Sequence, residues 1–172
     1  MQLRKERIAL QNLLSVAQGT VGSVAHQRFY TLTREGKRGD VLGGGKLSCA
    51  VVLSRILLCV WPDNRPLCRG PHTTIHGLTP DILACGWNPI ARARWHKVPP
   101  QKWQAGWVLL WEKKRGNAHI GLCLGNGVAL SNCRLRRVPV IHPCLTESDG
   151  KTPRAVVRVL EHPALRVRPH RA

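Results

Sequence analysis

Apolar positions along the chain change their period partway through, dividing a helical half from a stranded half. From Leu3 to about Gln18, Leu10, Leu13, Leu14 and Ala17 recur at helical spacing and predict an N-terminal amphipathic helix. Residues 21–32 are expected to form a second helix after Gly19. "REGKRGDVLGGGK", with five glycines in thirteen residues, reads as a loop. Ser48 is a good N-cap for an apolar helix running from Cys49 to about Val60, which "WPDNRP" ends. "GLTPDILACGW" predicts another short helix, with Thr79 as cap, Pro80 in the first position, Asp81 at the positive end and Gly86 as terminator.

After residue 105 the pattern becomes short and strand-like. "GWVLLWE" (106–112) is one strand, with Trp107 and Trp111 on one side as core or cleft wall. "AHIGLCLGNGVALSN" (118–132) is a hairpin turning at Asn126-Gly127, and "RAVVRVLEH" (154–162) is a last strand. Helices followed by an antiparallel meander predict an α+β fold. We expect one domain over residues 1–162, with a helical segment at 1–32, and a loose basic tail at 163–172. No internal repeat is present.

Composition narrows the class. The chain has 172 residues, 43% apolar and 21% charged, a globular balance. The best apolar run, Ala50 to Trp61, is broken by Ser54 and Arg55, so no membrane span is expected. The N-terminus makes a poor signal peptide, which reads as cytoplasmic, with export by another route left open. Seven cysteines, an odd number without a C-x-x-C pair, argue against a zinc ribbon and suit a reducing compartment. Cys59, Cys85 and Cys123 have apolar neighbours and read as core. Cys68, Cys133 and Cys144 leave room for one disulfide.

Charge changes the picture most. Against 9 acidic residues stand 27 basic ones, a net charge of +18. A polyanion partner (nucleic acid, anionic wall polymer or anionic lipid) is one reading, and an arginine-biased composition is the other. His72 and His76 have helical metal spacing. Pro71, Thr73 and Thr74 oppose a helix there, and no carboxylate accompanies them in sequence, so no metal is expected. "GGGK" lacks the spacing of a phosphate loop, and no cofactor is expected.

The candidate chemistry centres on Cys49. A thiol at a helix start faces unsatisfied backbone N–H groups and the positive end of the dipole, which favour the thiolate. A nucleophilic cysteine also needs a histidine to take and return its proton, and a polar group to orient that ring. His119 opens the first hairpin strand and Asn132 ends the second, so the two would face each other, allowing for a slip of one residue.

"GGGKLSCAVVLSRIL", then "GWVLLWE", then "HIGLCLGNGVALSN" resemble the NlpC-type cysteine peptidases and their CHAP relatives over residues 39–133. The family's usual Asp-Cys-Ser-Gly stands here as Ser48-Cys49-Ala50-Val51, and its Gly-Asp before the tryptophan strand as Gly106-Trp107. The resemblance implies a papain-like fold and a hydrolase of amide bonds in peptidoglycan peptides or similar substrates. It implies Cys49 as nucleophile, His119 as base and acid, and Asn132 as orienting residue, with Ser131 the competing choice. The Cys49 amide beside Ser48 would receive the oxyanion, and Asp40 would line the site or serve as a turn residue. The alternative is a non-catalytic basic module on the same scaffold.

Overall fold

A computed structural model describes residues 2–32, 36–114 and 117–166. Its framework is α+β. Helices α1 (Gln2–Gly19), α2 (Cys49–Leu58) and α3 (Ile75–Ala84) accompany a two-stranded ribbon, β1 (Tyr30–Leu32) with β2 (Arg38–Asp40). The main sheet holds β3 (Asn88–Pro89), β4 (Val108–Lys114), β5 (Asn117–Gly125), β6 (Val128–Cys133), β7 (Val138–Pro143) and β8 (Val156–Glu161). Its order is β3-β8-β4-β5-β6-β7, with every neighbouring pair antiparallel.

The period-two alternation of the strands explains the two cores. Val108, Ile120, Leu122, Leu130 and Leu160 face the helices and pack with Leu13, Leu53, Ile56, Leu57, Leu78 and Ile82. Leu109, Trp111, Cys123, Ala129 and Val159 face the other way and pack with Trp95, Trp103 and Trp107 from the segment before β4. Trp107 and Trp111 thus share one side and serve as core. The β5–β6 turn is a two-residue loop in which Asn126 (φ 51°) and Gly127 (φ 78°) are both left-handed, the primed-turn geometry their sequence predicts.

Several expectations are corrected. Residues 21–32 do not form a helix: they give a 3₁₀ turn at Val24–His26 and then β1, whose Thr31 and Leu32 pair with Gly39 and Arg38. α3 begins earlier than predicted. Its cap is Thr74, whose hydroxyl accepts from the Gly77 amide at 3.1 Å, while Thr79 lies inside and donates to the Ile75 carbonyl at 2.8 Å. Pro80 is therefore interior to the helix. The tail is not loose from residue 163, because Pro163–Leu165 forms a 3₁₀ turn whose Leu165 joins the helix-side core. Residues 167–172 of that tail lie outside the described residues. All seven cysteines are unpaired thiols; Cys59 is exposed and Cys85 half-buried rather than core. Among the described residues, no helix is long and apolar enough to cross a membrane.

Candidate active site

The glycine loop sets the start of α2. Asp40 accepts from the amides of Phe29 (3.0 Å), Leu42 (3.1 Å) and Gly44 (2.7 Å), and these bonds hold its carboxyl below the usual range. Asp40 is thus the loop's organiser and is absent from the cavity wall. Gly43, Gly44 and Gly45 all have positive φ. At Gly45 (φ +95°) a Cβ would meet the Arg137 carbonyl at 2.9 Å, so the loop can press against the β6–β7 turn only with glycine there.

Ser48 stands at the N-cap, but its hydroxyl makes no cap bond. It is buried without a hydrogen-bond partner and is not in the cavity wall. The Ser48 carbonyl receives the first helical bond, from Val52 at 2.9 Å. The early amides of α2 are therefore left to act elsewhere. The amides of Ala50 and Cys49, with that of Ile120 on β5, bear on the Cys49 thiol. Burial nevertheless outweighs them and pushes the thiol's pKa up, so the resting group is Sγ–H rather than the thiolate expected from the helix start.

Cys49 and His119 line one cavity of about 690 Å³, shared with Asn132, Arg154 and Glu147. Both are half-buried rather than sealed. Arg154 acts electrostatically on both side chains, and it donates to the Glu112 carbonyl at 3.1 and 2.8 Å. Desolvation, aided by Arg154 and His142, holds His119 down to about 3, so its ring is neutral near pH 7.

The partner of the His119 ring is Ser131, not Asn132. β5 and β6 pair Leu122 with Leu130 and Cys123 with Ala129, a register that puts His119 and Ser131 on one face and Asn132 on the other. His119 Nε2 lies 2.7 Å from Ser131 Oγ. Gly121 makes this approach possible, because a Cβ there would meet Ser131 Cβ at 2.8 Å and press on the Leu130 carbonyl. Asn132 instead donates from Nδ2 to the Gly45 carbonyl at 2.8 Å, tying the glycine loop to β6, and its Oδ1 is buried without a partner.

Ser131 Oγ is also 2.8 Å from His142 Nε2, and His142 Nδ1 is 2.9 Å from the Pro143 carbonyl. A carbonyl only accepts, so Nδ1 of His142 carries a proton. Burial lowers the pKa of His142, so Nε2 of the neutral ring must accept from Ser131. Ser131 then accepts from His119 Nε2–H. This chain leaves Nδ1 of His119 as the ring nitrogen with a free lone pair. Trp111 flanks both rings, with centroids 5.3 Å from His119 and 5.7 Å from His142.

Sequence reasoning missed His142 and Arg154, and it placed Trp111 as core or cleft wall without the two histidine rings it flanks. It also missed a second cluster in which Cys68, His72 and Asp81 converge. Its signal was the aspartate on α3, nine residues past His72, which supplies the carboxylate that local spacing lacked. His76 lies on α3 and is outside that cluster. No protein-family model matches the chain, and no curated protein matches it in sequence.

Proposed function

We propose that the protein is a cysteine hydrolase that cleaves amide bonds through a Cys49 thioester, on a papain-like arrangement of the NlpC and CHAP kind. The observation behind this reading is the His119–Ser131–His142–Pro143 chain, which leaves one nitrogen lone pair unused on a ring bordering the same cavity as a helix-start thiol. Because Cys49 and His119 are both neutral at rest, the proton moves during attack rather than before it.

Sγ bonds to the substrate carbonyl carbon as its proton passes to His119 Nδ1. The carbonyl π pair becomes an oxyanion, received by the Cys49 and Ala50 amides. Collapse breaks the C–N bond, and the imidazolium proton leaves with the amine. Water then attacks the thioester, giving its proton to the same nitrogen, and the acid departs while Sγ–H is restored. Ser131 and His142 hold the tautomer throughout.

The substrate class is a peptide amide of the peptidoglycan type. Its free amine and carboxylate groups match a cavity whose wall carries Lys46 and Arg134 together with Glu147 and Asp149. A second reading rests on the charge of +18 and on Arg134, Arg136 and Arg137, which are all exposed on the β6–β7 turn: the protein grips polyanions without chemistry.

One comparison separates the two. Muropeptides are incubated with the protein and with Cys49→Ser, products are read by mass spectrometry, and binding to a polyanion is followed against salt. The hydrolase reading expects new amine and carboxylate termini from the first protein only. An electrophile should also label Cys49 in a Cys59→Ser background, which removes the exposed competing thiol. Salt-steep binding in both proteins, with no cleavage and no preferential labelling, would overturn it in favour of the second reading.

A further inference from the structure

The stretch between α2 and α3 is long and has little regular structure of its own beyond a 3₁₀ turn at Pro62–Asn64. Loops of this length in a compact domain need something to hold them. Here the loop turns inward at Leu67 and Cys68, both fully buried, and the Leu67 carbonyl accepts from Trp87 Nε1 at 2.9 Å. His72 follows, its amide donating to Ser54 Oγ of α2 at 3.0 Å. Asp81 comes from α3, so the three residues join a loop to a helix.

Their donor atoms lie within 4.8 Å of one another. His72 Nε2 is 2.9 Å, and Cys68 Sγ 3.2 Å, from the same oxygen, Asp81 Oδ2, which also accepts from the Arg69 amide at 2.8 Å. Cys68 Sγ is nearer still to the Gly70 carbonyl, at 3.0 Å, so its one proton is shared between two acceptors, while Asp81 Oδ2 gathers a thiol, an imidazole and an amide around its two lone pairs. Tetrahedral zinc, with bonds of about 2.0–2.3 Å, holds its donors roughly 3.3–3.7 Å apart, so the His72 and Cys68 gaps to Asp81 Oδ2, at 2.9 and 3.2 Å, would each open by only a few tenths of an ångström to admit an ion. Gly77 leaves space for the ring: a Cβ there would sit 3.3 Å from His72 Nδ1.

We propose that Cys68 Sγ, His72 Nε2 and Asp81 Oδ2 bind a divalent zinc-class cation, with water completing the coordination. Sulfur, imidazole and carboxylate together suit zinc, whereas calcium and magnesium take oxygen ligands. Binding releases the Cys68 thiol proton and relieves the crowding on Asp81. The ion pins the loop one residue short of Thr73 and Thr74, which form part of the wall of the Cys49 cavity. The site is separate from the Cys49 chemistry and stands or falls independently of it.

Cobalt(II) is the probe, titrated into reduced, metal-free protein carrying Cys49→Ser so that the cavity thiol cannot compete. We expect saturation at one equivalent with a thiolate-to-cobalt charge-transfer band, bleached by stoichiometric zinc. Cys68→Ser abolishes the band. His72→Gln, a half-buried change whose folding is checked by circular dichroism, weakens cobalt binding by at least about tenfold. Absence of the band at one equivalent, its persistence in Cys68→Ser, or unchanged affinity in folded His72→Gln would overturn the proposal.

Discussion

Ser131 and Asn132 are chain neighbours whose side chains leave β6 on opposite faces, and that alternation decides which of them serves His119. Ser131→Ala orphans His119 Nε2–H and His142 Nε2 together. Each is a buried polar group that loses its partner, at about 1–3 kcal/mol apiece. Freed of its orienting bond, His119 can also adopt the wrong tautomer, so under the proposed hydrolase reading kcat should fall by about 10–100-fold. Asn132→Ala removes only the bond to the Gly45 carbonyl, which costs about 1 kcal/mol and acts on the chemistry through the loop. Denaturant melts and kcat on a muropeptide, measured for both variants, check the ranking. A larger loss of kcat in Asn132→Ala than in Ser131→Ala would return the orienting role to the asparagine.

Elements with a strong internal period were legible in the sequence, whereas elements made by pairing were not. α1, α2 and the β5–β6 hairpin each carry a local signal: an apolar stripe, a glycine loop before an apolar run, and Asn126-Gly127. β1 owes its existence to β2, and the loop between them hides that pairing from any window of local sequence. β7 was masked by Pro139 and Pro143, which argue against a strand until its edge position is known, since an edge tolerates missing N–H groups. With β7 went His142, the far end of the hydrogen-bond chain. Cys49 and His119 were legible because each sits on an element with a local signal, whereas the choice between Ser131 and Asn132 needed the register. Gly121 tests that register as an element. Alanine there collides with Ser131 Cβ and the Leu130 carbonyl, so β5 and β6 must separate locally. Gly121→Ala should destabilise by about 1–3 kcal/mol, as overpacking does, and should lower kcat as Ser131→Ala does. A thermal melt with an activity assay reads both, and full activity in a stably folded Gly121→Ala would show that the close approach is dispensable.

On the scale of the whole molecule, acid and charge act in the same direction. His26, His119, His142 and His162 all titrate below their ordinary value of 6.5 in the folded protein, each chiefly because burial disfavours the charged ring. Between 6.5 and about 3, the value for His119, the unfolded chain therefore binds more protons than the folded one, and stability falls as pH falls. Each proton taken up also adds to a chain already at +18, where self-repulsion opposes the compact state. At the alkaline end Cys49 works the other way. Burial raises its pKa above 9.0, so the stability tied to its protonated form is complete below 9.0 and is lost as pH climbs past that value. The melting temperature should therefore form a plateau between about pH 6.5 and 9 and drop on both sides. Salt separates the two acid terms, because screening weakens repulsion between surface charges but leaves the burial of neutral imidazoles almost untouched. Raising ionic strength at pH 4.5 should recover part of the lost melting temperature and leave the remainder, whereas complete recovery would mean that surface charge alone accounts for the acid limb. A melting temperature that stays level from pH 7 to pH 4 would contradict burial of the neutral rings, and with it the tautomer chain that leaves His119 Nδ1 free to accept a proton.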